Sequence, residues 1–305
     1  MGQGPADRTQ ADPPPFEFRF VEAPEPLAPY TNALTVFRSS LPELSDIMPS
    51  FSPQLMLFGE GTVRITYAGG GAKAPAEAFF VSQLDEALPF TVEGPAVAIG
   101  ASLNVLGWAA LTRLPVGELR NRAIGVRAVL NTGLAGRIEE LRAGLDRDAD
   151  LDAAVRDLTA ILVNGLMPVP DAEKAFISTM RDWLSDKFDP DVAILREKVA
   201  LSERQLQRLS SRYFGGAPSA IAKRYRAVRA ATLLSMPDLS QDVAEEIFDA
   251  YYDQAHLIRD LRRYTGRTPQ LLKARDEPSL AGETLDLDGY GDRSLMEEIL
   301  RTDTN

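Results

Sequence analysis

Shifted against itself by 51 residues without gaps, the chain pairs Leu206 with Leu257, Arg208 with Arg259, Arg212 with Arg263, Tyr213 with Tyr264, Gly215 with Gly266 and Pro218 with Pro269. Six identities within thirteen positions mark a duplicated unit. The pairing extends outward to Ser202 with Asp253, both good helix N-cap residues, and to Val192 with Val243. Each copy predicts a short helix, a tight turn, a capped second helix and a Gly-x-x-Pro stop, which is helix-turn-helix organisation used twice.

In the first copy the capped helix is predicted from Glu203 to Tyr213, with Leu206 and Leu209 inward and Arg204, Gln207, Arg208 and Arg212 outward. In the second it is predicted from Gln254 to Tyr264, with Leu257 and Leu261 inward and Gln254, His256, Arg259, Arg262 and Arg263 outward. Between them Ile221, Tyr225, Val228 and Thr232 give the stripe of a linking helix, flanked by Lys223, Arg224, Arg226 and Arg229. Outward Arg and Gln suit double-stranded DNA, because they hydrogen-bond guanine and adenine edges in the major groove while further cations hold phosphates.

A net charge of −11 over 305 residues argues against a nucleic-acid partner only as an average. Residues 189–275 carry 15 Lys and Arg against 11 Asp and Glu. Residues 1–188 carry 16 against 24 and residues 276–305 carry 2 against 9, so one basic block lies between two acidic ones. The absence of cysteine excludes disulfides, thiolate metal sites and cysteine nucleophiles, and a single histidine, His256, excludes multi-histidine metal sites. No catalytic constellation is visible, so neither an enzyme nor a metal or other cofactor is expected. Apolar stretches such as Ala96 to Leu106 are too short to span a bilayer, and Met1 to Pro15 lacks the pattern of a signal peptide. A cytoplasmic protein without a membrane partner is the expectation.

Before the repeat the periodicity changes twice. Residues 1–15, rich in proline and small polar residues, predict a disordered leader. Residues 16–130 predict a mainly β domain, with strands at Phe16–Val21, Gln54–Phe58, Thr62–Tyr67, Ala78–Val81 and Val97–Ala101 and turns at Gly59-Glu60-Gly61, Gly69-Gly70-Gly71 and Gly94-Pro95. The glycine run at 69–71 lacks the following Lys-Ser/Thr of a phosphate loop and predicts a flexible hairpin loop. Residues 131–188 predict a helical connector with stripes at Leu134, Ile138, Leu141 and Leu145, at Leu151, Val155, Leu158 and Leu162, and at Phe176, Met180, Trp183 and Leu184. The fold class is α+β, a β-rich sensor domain followed by the connector and an all-α module at 189–275, then an acidic tail at 276–305. The tail carries Leu280, Leu285 and Ser294, a candidate N-cap, and reads as a mobile tail, as a helix packed on its own domain, or as a competitor lying across the Arg-rich faces.

From about Asp191 to Arg275 the chain resembles the tandem helix-turn-helix domain of AraC/XylS-type transcription regulators. The resemblance rests on Leu-Ser-Glu-Arg-Gln-Leu-Gln-Arg at 201–208, Arg-Ala-Val-Arg-Ala-Ala-Thr-Leu-Leu at 226–234, Tyr-Tyr-Asp-Gln-Ala-His-Leu-Ile-Arg at 251–259 and Gly-Arg-Thr-Pro at 266–269. The stretch from Leu27-Ala28-Pro29-Tyr30 to Trp183-Leu184 is similar, less specifically, to the β domain and connector that precede this module in one bacterial subgroup. The resemblance implies a sequence-specific DNA-binding regulator whose base-reading residues are Arg204, Gln207 and Arg208 in the first copy and Gln254, Ala255 and Arg259 in the second. Arg212, Lys223 and Arg263 would meet phosphates, and the two readers would lie about one helical turn of DNA, roughly 34 Å, apart. A small-molecule effector, RNA polymerase and a second copy of the chain are the further partners it implies. Phe18, Phe37 and Phe58 are candidate lining for an effector pocket, with plain core as the alternative.

Two departures from the family pattern keep a second class open, a helix-turn-helix protein that no longer reads sequence and works as a protein-interaction module. The usual turn glycine is replaced by Ala200 and Ala250, which is costly only where φ must be positive. The small buried residue four positions earlier becomes Arg196 in one copy and Glu246 in the other, so either the first helices have rotated, with Ile247 and Phe248 taking over as core, or the charges face each other.

Overall fold

A computed structural model describes residues 16–67, 70–74, 77–236, 239–273 and 279–285. The leader at 1–15, Gly69, and Ser294 with the rest of the tail beyond Leu285 lie outside the described residues. The amino-terminal part is an antiparallel sheet of β1 (Phe16–Val21), β2 (Thr31–Ser39), β3 (Glu43–Met48), β4 (Gln54–Tyr67), β5 (Gly70–Lys73), β6 (Ala78–Val81), β7 (Leu88–Leu103) and β8 (Ala123–Gly125). The order is β1-β2-β7-β4-β6-β8, with β3 added to the first half of β7 and β5 to the second half of β4.

Two of the expected turns are bends within long strands. Gln54–Phe58 and Thr62–Tyr67 belong to one strand, β4, and Val97–Ala101 is the last part of β7, which runs straight through Gly94-Pro95. Their pairing slips between Phe58 and Thr62, where five steps along β7 oppose four along β4. The bulge flips the side-chain alternation. Phe58 before it and Val63 and Ile65 after it all face the same apolar cluster. Gly61 and Gly94 absorb the bend with φ of +75° and +82°, which a residue with a Cβ adopts only under strain. Gly70 and Gly71 pair with Tyr67 and Thr66 in a hairpin.

Each face of the sheet buries its own core. On one face Leu34, Val36, Leu55, Leu57, Ile99 and Ala101 pack against the helices that follow. These are α1 (Val105–Thr112), α2 (Val126–Val129), α3 (Thr132–Ala143) and α4 (Leu151–Gly165). On the other face Phe37, Phe58, Phe79 and Phe90 gather. α5 (Asp171–Asp186) buries Phe176, Met180, Trp183 and Leu184, the expected third stripe, against the carboxy-terminal helices. Those helices are α6 (Val192–Lys198), α7 (Glu203–Phe214), α8 (Pro218–Leu234), α9 (Gln241–Asp249), α10 (Gln254–Thr265), α11 (Pro269–Lys273) and α12 (Leu280–Leu285). Leu280 of α12 packs in the Phe37–Phe90 cluster of the sheet, and Leu285 packs with α8 and α10. No helix among the described residues is long and apolar enough to cross a membrane.

Candidate nucleic-acid interface

The duplicated sequence folds as a duplicated structure. Ser202 accepts from the Gln205 N–H while Gln205 reaches back to the Ser202 N–H, a reciprocal cap that starts α7. Asp253 starts α10 by accepting from the His256 N–H at 2.6 Å. Both helices end on a left-handed glycine, Gly215 at φ +84° and Gly266 at φ +72°, whose N–H closes the last turn on Ser211 and Arg262.

The substituted turns carry no backbone strain. Ala250 sits at φ −72°, ψ −5°, and Ala200 is not among the described non-glycine residues with positive φ, which are Arg113 and Asn121. Arg196 and Glu246 are both exposed, Arg196 in a 2.9 Å ion pair with Glu203, so neither charge is buried. Ile247 is buried as expected, but Phe248 is 47% exposed and does not join the core, because Val243 and Ile247, four apart, already form the inward stripe of α9.

α7 exposes Arg204, Gln207 and Arg208 on one face while Leu206, Tyr213 and Phe214 hold it against α5 and α8. α10 exposes Gln254, Ala255, Arg259, Arg262 and Arg263. Both faces stay open although the amino-terminal part grips both helices at their carboxy-terminal ends. Arg212, half-buried, donates to the Arg113 carbonyl at 3.4 Å and to Tyr213 Oη at 3.3 Å. The carbonyls of Arg263 and Tyr264 accept from Ala87 and Ser50, each at 2.7 Å. Arg267 donates to Asp46 Oδ1 of β3 at 2.8 Å, and Ser279 to the other oxygen at 2.8 Å. The Arg263 guanidinium lies over the Tyr264 ring.

Lys223, a phosphate contact in what the resemblance implies, carries an intramolecular partner. Its side chain, 39% exposed, pairs through Nζ with Asp260 Oδ1 at 3.1 Å. Asp260 is buried under α10, and its Oδ2 lies 3.4 Å from His256 Nε2 and 3.6 Å from Arg226 Nη2. Arg226 also pairs with Asp189 at 2.8 Å and stacks 4.5 Å over the Tyr251 ring. Burial raises the Tyr251 phenol well above its ordinary pKa, with the Arg226 charge opposing, so the ring stays neutral. His256, expected outward, is half-buried edge-on to Tyr251.

The arginines beside the linking stripe also turn inward. Arg229, 1% exposed, donates to the Leu184 and Lys187 carbonyls at 2.7 and 2.9 Å, at the end of the connector helix α5. Arg224 donates to the Phe214 carbonyl at 3.2 Å. A signal for Asp260 was present in the sequence. At the same 51-residue offset it aligns with Leu209, so an acid replaces an apolar residue at an inward helical position and calls for buried cations nearby.

Phe18, Phe37 and Phe58 line one cavity of about 150 Å³ on the aromatic face of the sheet. Its far wall comes from α8, through Arg224, Tyr225 and Val228.

Residues 195–275 match a family model described as a helix-turn-helix domain. Among solved structures, ToxT from Vibrio cholerae O395 is 7% identical over 85% of this chain and 99% of its own, with a TM-score of 0.41. The AraC-like transcriptional activator CuxR is 13% identical over 69% of this chain and 85% of its own, with a TM-score of 0.28. No curated protein matches the chain. With two capped helices of like build on one linking helix and a family model spanning both, residues 195–275 of this chain form a helix-turn-helix domain.

Proposed function

We propose that the chain is a sequence-specific regulator of transcription in which α7 and α10 enter successive major-groove segments of double-stranded DNA and the β domain senses an effector. Arg204, Gln207 and Arg208 would read bases from α7, and Gln254, Ala255 and Arg259 from α10. Arg212 and Arg263 would meet phosphates. The observation that carries this reading is the pair of exposed Arg/Gln faces on helices whose opposite faces are buried, left open while the amino-terminal part holds their far ends. Residues 16–130 serve as the sensor, 131–188 as connector and 189–275 as reader, in the cytoplasm where DNA is accessible. Retardation of the DNA upstream of its own gene, titrated against salt, tests this, since every phosphate that a protein cation neutralises releases a counterion and steepens the salt dependence. Retention of the same affinity for random DNA would remove the sequence-specific part.

A second reading, a protein-interaction module, is favoured by α9 alone. It exposes Asp242, Glu245, Glu246 and Asp249 together with Phe248, and Tyr252 beyond it is 94% exposed. A chain that retards no DNA at low salt would favour it.

A further inference from the structure

The cavity on the aromatic face is largely apolar, and Asn32, Gln54 and Ser102 form a polar cluster in its lining. There Ser102 of β7 accepts from Asn32 Nδ2 at 3.2 Å and from Gln54 Nε2 at 2.8 Å. Gln54 Nε2 also donates to the Ser52 carbonyl at 3.0 Å, which can only accept, so this geometry fixes which end of the Gln54 amide faces Ser102. With both amide donors spent on its oxygen, the Ser102 hydroxyl retains its hydrogen to donate. The groups of this cluster are neutral. Arg224, a cation that also lines the cavity, is engaged with the Phe214 carbonyl and lies 5.7 Å from the Tyr225 ring centre.

We infer that this cavity binds a compact, uncharged, mainly apolar molecule bearing one hydrogen-bond acceptor such as a carbonyl oxygen, and binds it best while the helix-turn-helix domain is docked on the sheet. This deepens the sensing role proposed above and rests on it. A cavity of about 150 Å³ lined by Phe and Ile is of the size and lining that takes a benzene-sized guest. The acceptor meets the Ser102 hydroxyl, since burying that donor against a hydrocarbon would leave it unsatisfied. The docking dependence follows from the far wall. Tyr225 and Val228 belong to α8, so separating the domains strips the guest of part of its lining, and occupancy favours the state in which the lining is whole.

Calorimetric titration of the full chain with acetophenone, ethylbenzene and benzoate tests this. Acetophenone should bind about threefold to tenfold tighter than ethylbenzene, the effect of one neutral hydrogen bond, and benzoate should bind most weakly. In Ser102→Ala the two neutral probes should become equal. Should that variant bind neither, Ser102→Thr, which keeps a hydroxyl on the same carbon, must keep the preference for acetophenone. Asp46→Ala, which releases Arg267 from β3, should weaken both neutral probes several-fold. Equal binding of acetophenone and ethylbenzene to the natural chain, benzoate binding tightest, a preference that survives Ser102→Ala or is lost in Ser102→Thr, or affinities untouched by Asp46→Ala would each overturn the inference. The titrations contain no DNA. A chain that binds acetophenone but retards no DNA removes the regulator reading alone, and one that retards DNA but binds no probe removes this inference alone.

Discussion

The two helix-turn-helix copies share caps, lengths and stops, yet they are held together by different forces. The first rests on apolar contact, with Leu206, Tyr213 and Phe214 against Met180, Trp183, Ile221 and Ala222. The second sets α10 on α8 partly through a buried carboxylate, Asp260, between Lys223, Arg226 and His256. They also differ toward solvent. Ala255 and Ile258 stand where the first copy has Arg204 and Gln207, and the helix before them, α9, is acidic. A duplicated unit can thus keep its backbone while the forces that hold each copy in place diverge.

The sharpest way to break this comparison is at aligned positions 209 and 260. Asp260→Ala leaves Lys223 and Arg226 facing each other without their shared acid and should cost about 3–5 kcal/mol in denaturant unfolding, as removal of one member of a buried ion cluster does. Leu209→Ala, half-buried in the first copy, should cost less than the roughly 2–5 kcal/mol of a fully buried leucine. Equal losses would mean that the ion cluster contributes no more than packing.

Base reading separates the copies next. Arg208→Ala should weaken binding to the specific site by about 1–3 kcal/mol and relax preference at one base pair, with a smaller loss on random DNA. Arg259→Ala should show the same signature at the low end of that range, because its neighbours on α10 offer fewer polar contacts. An Arg259→Ala loss larger than that of Arg208→Ala would reverse the assignment of the stronger reader. Smaller again, replacing Glu245 and Glu246 together by Gln should tighten DNA binding several-fold at low salt and scarcely at high salt, where exposed charges are screened over a few ångströms. The smallest change is expected for Lys223→Ala. The salt slope of DNA binding should stay the same, with stability reduced by under about 1 kcal/mol, because this lysine is spent on Asp260. A slope reduced by about one would return Lys223 to the phosphates.

Local chemistry made the repeat legible, since caps, stops and stripes are each set by neighbours a few residues away. The β domain was legible only in part. β2 is buried along both faces and so lacks the alternation that marks a half-buried strand, while β3, Glu43–Met48, is an acidic, partly exposed edge strand. Gly61 and Gly94 carry the backbone signal of a turn, but long-range pairing between β4 and β7 uses them to bend continuous strands. Arg224, Arg226 and Arg229 escaped for the opposite reason. A charged residue is placed outside by default, and only the tertiary structure supplies the carbonyls of Phe214, Leu184 and Lys187 and the carboxylate of Asp260 that make burial tolerable.

Leu280 belongs to the core on the aromatic face of a sheet whose last long strand ends at Leu103. On a ribosome adding about 5–20 residues per second, that face therefore waits roughly 10–35 s between the synthesis of its strands and that of the side chain that completes it. During this interval Phe16, Phe37 and Phe90 are only partly covered, and any chaperone that meets the nascent chain meets them there. The order of synthesis thus makes α12, beyond the helix-turn-helix domain, the last element to close on the sheet, and a chain cut off before residue 280 would carry its aromatic face into solution unfinished.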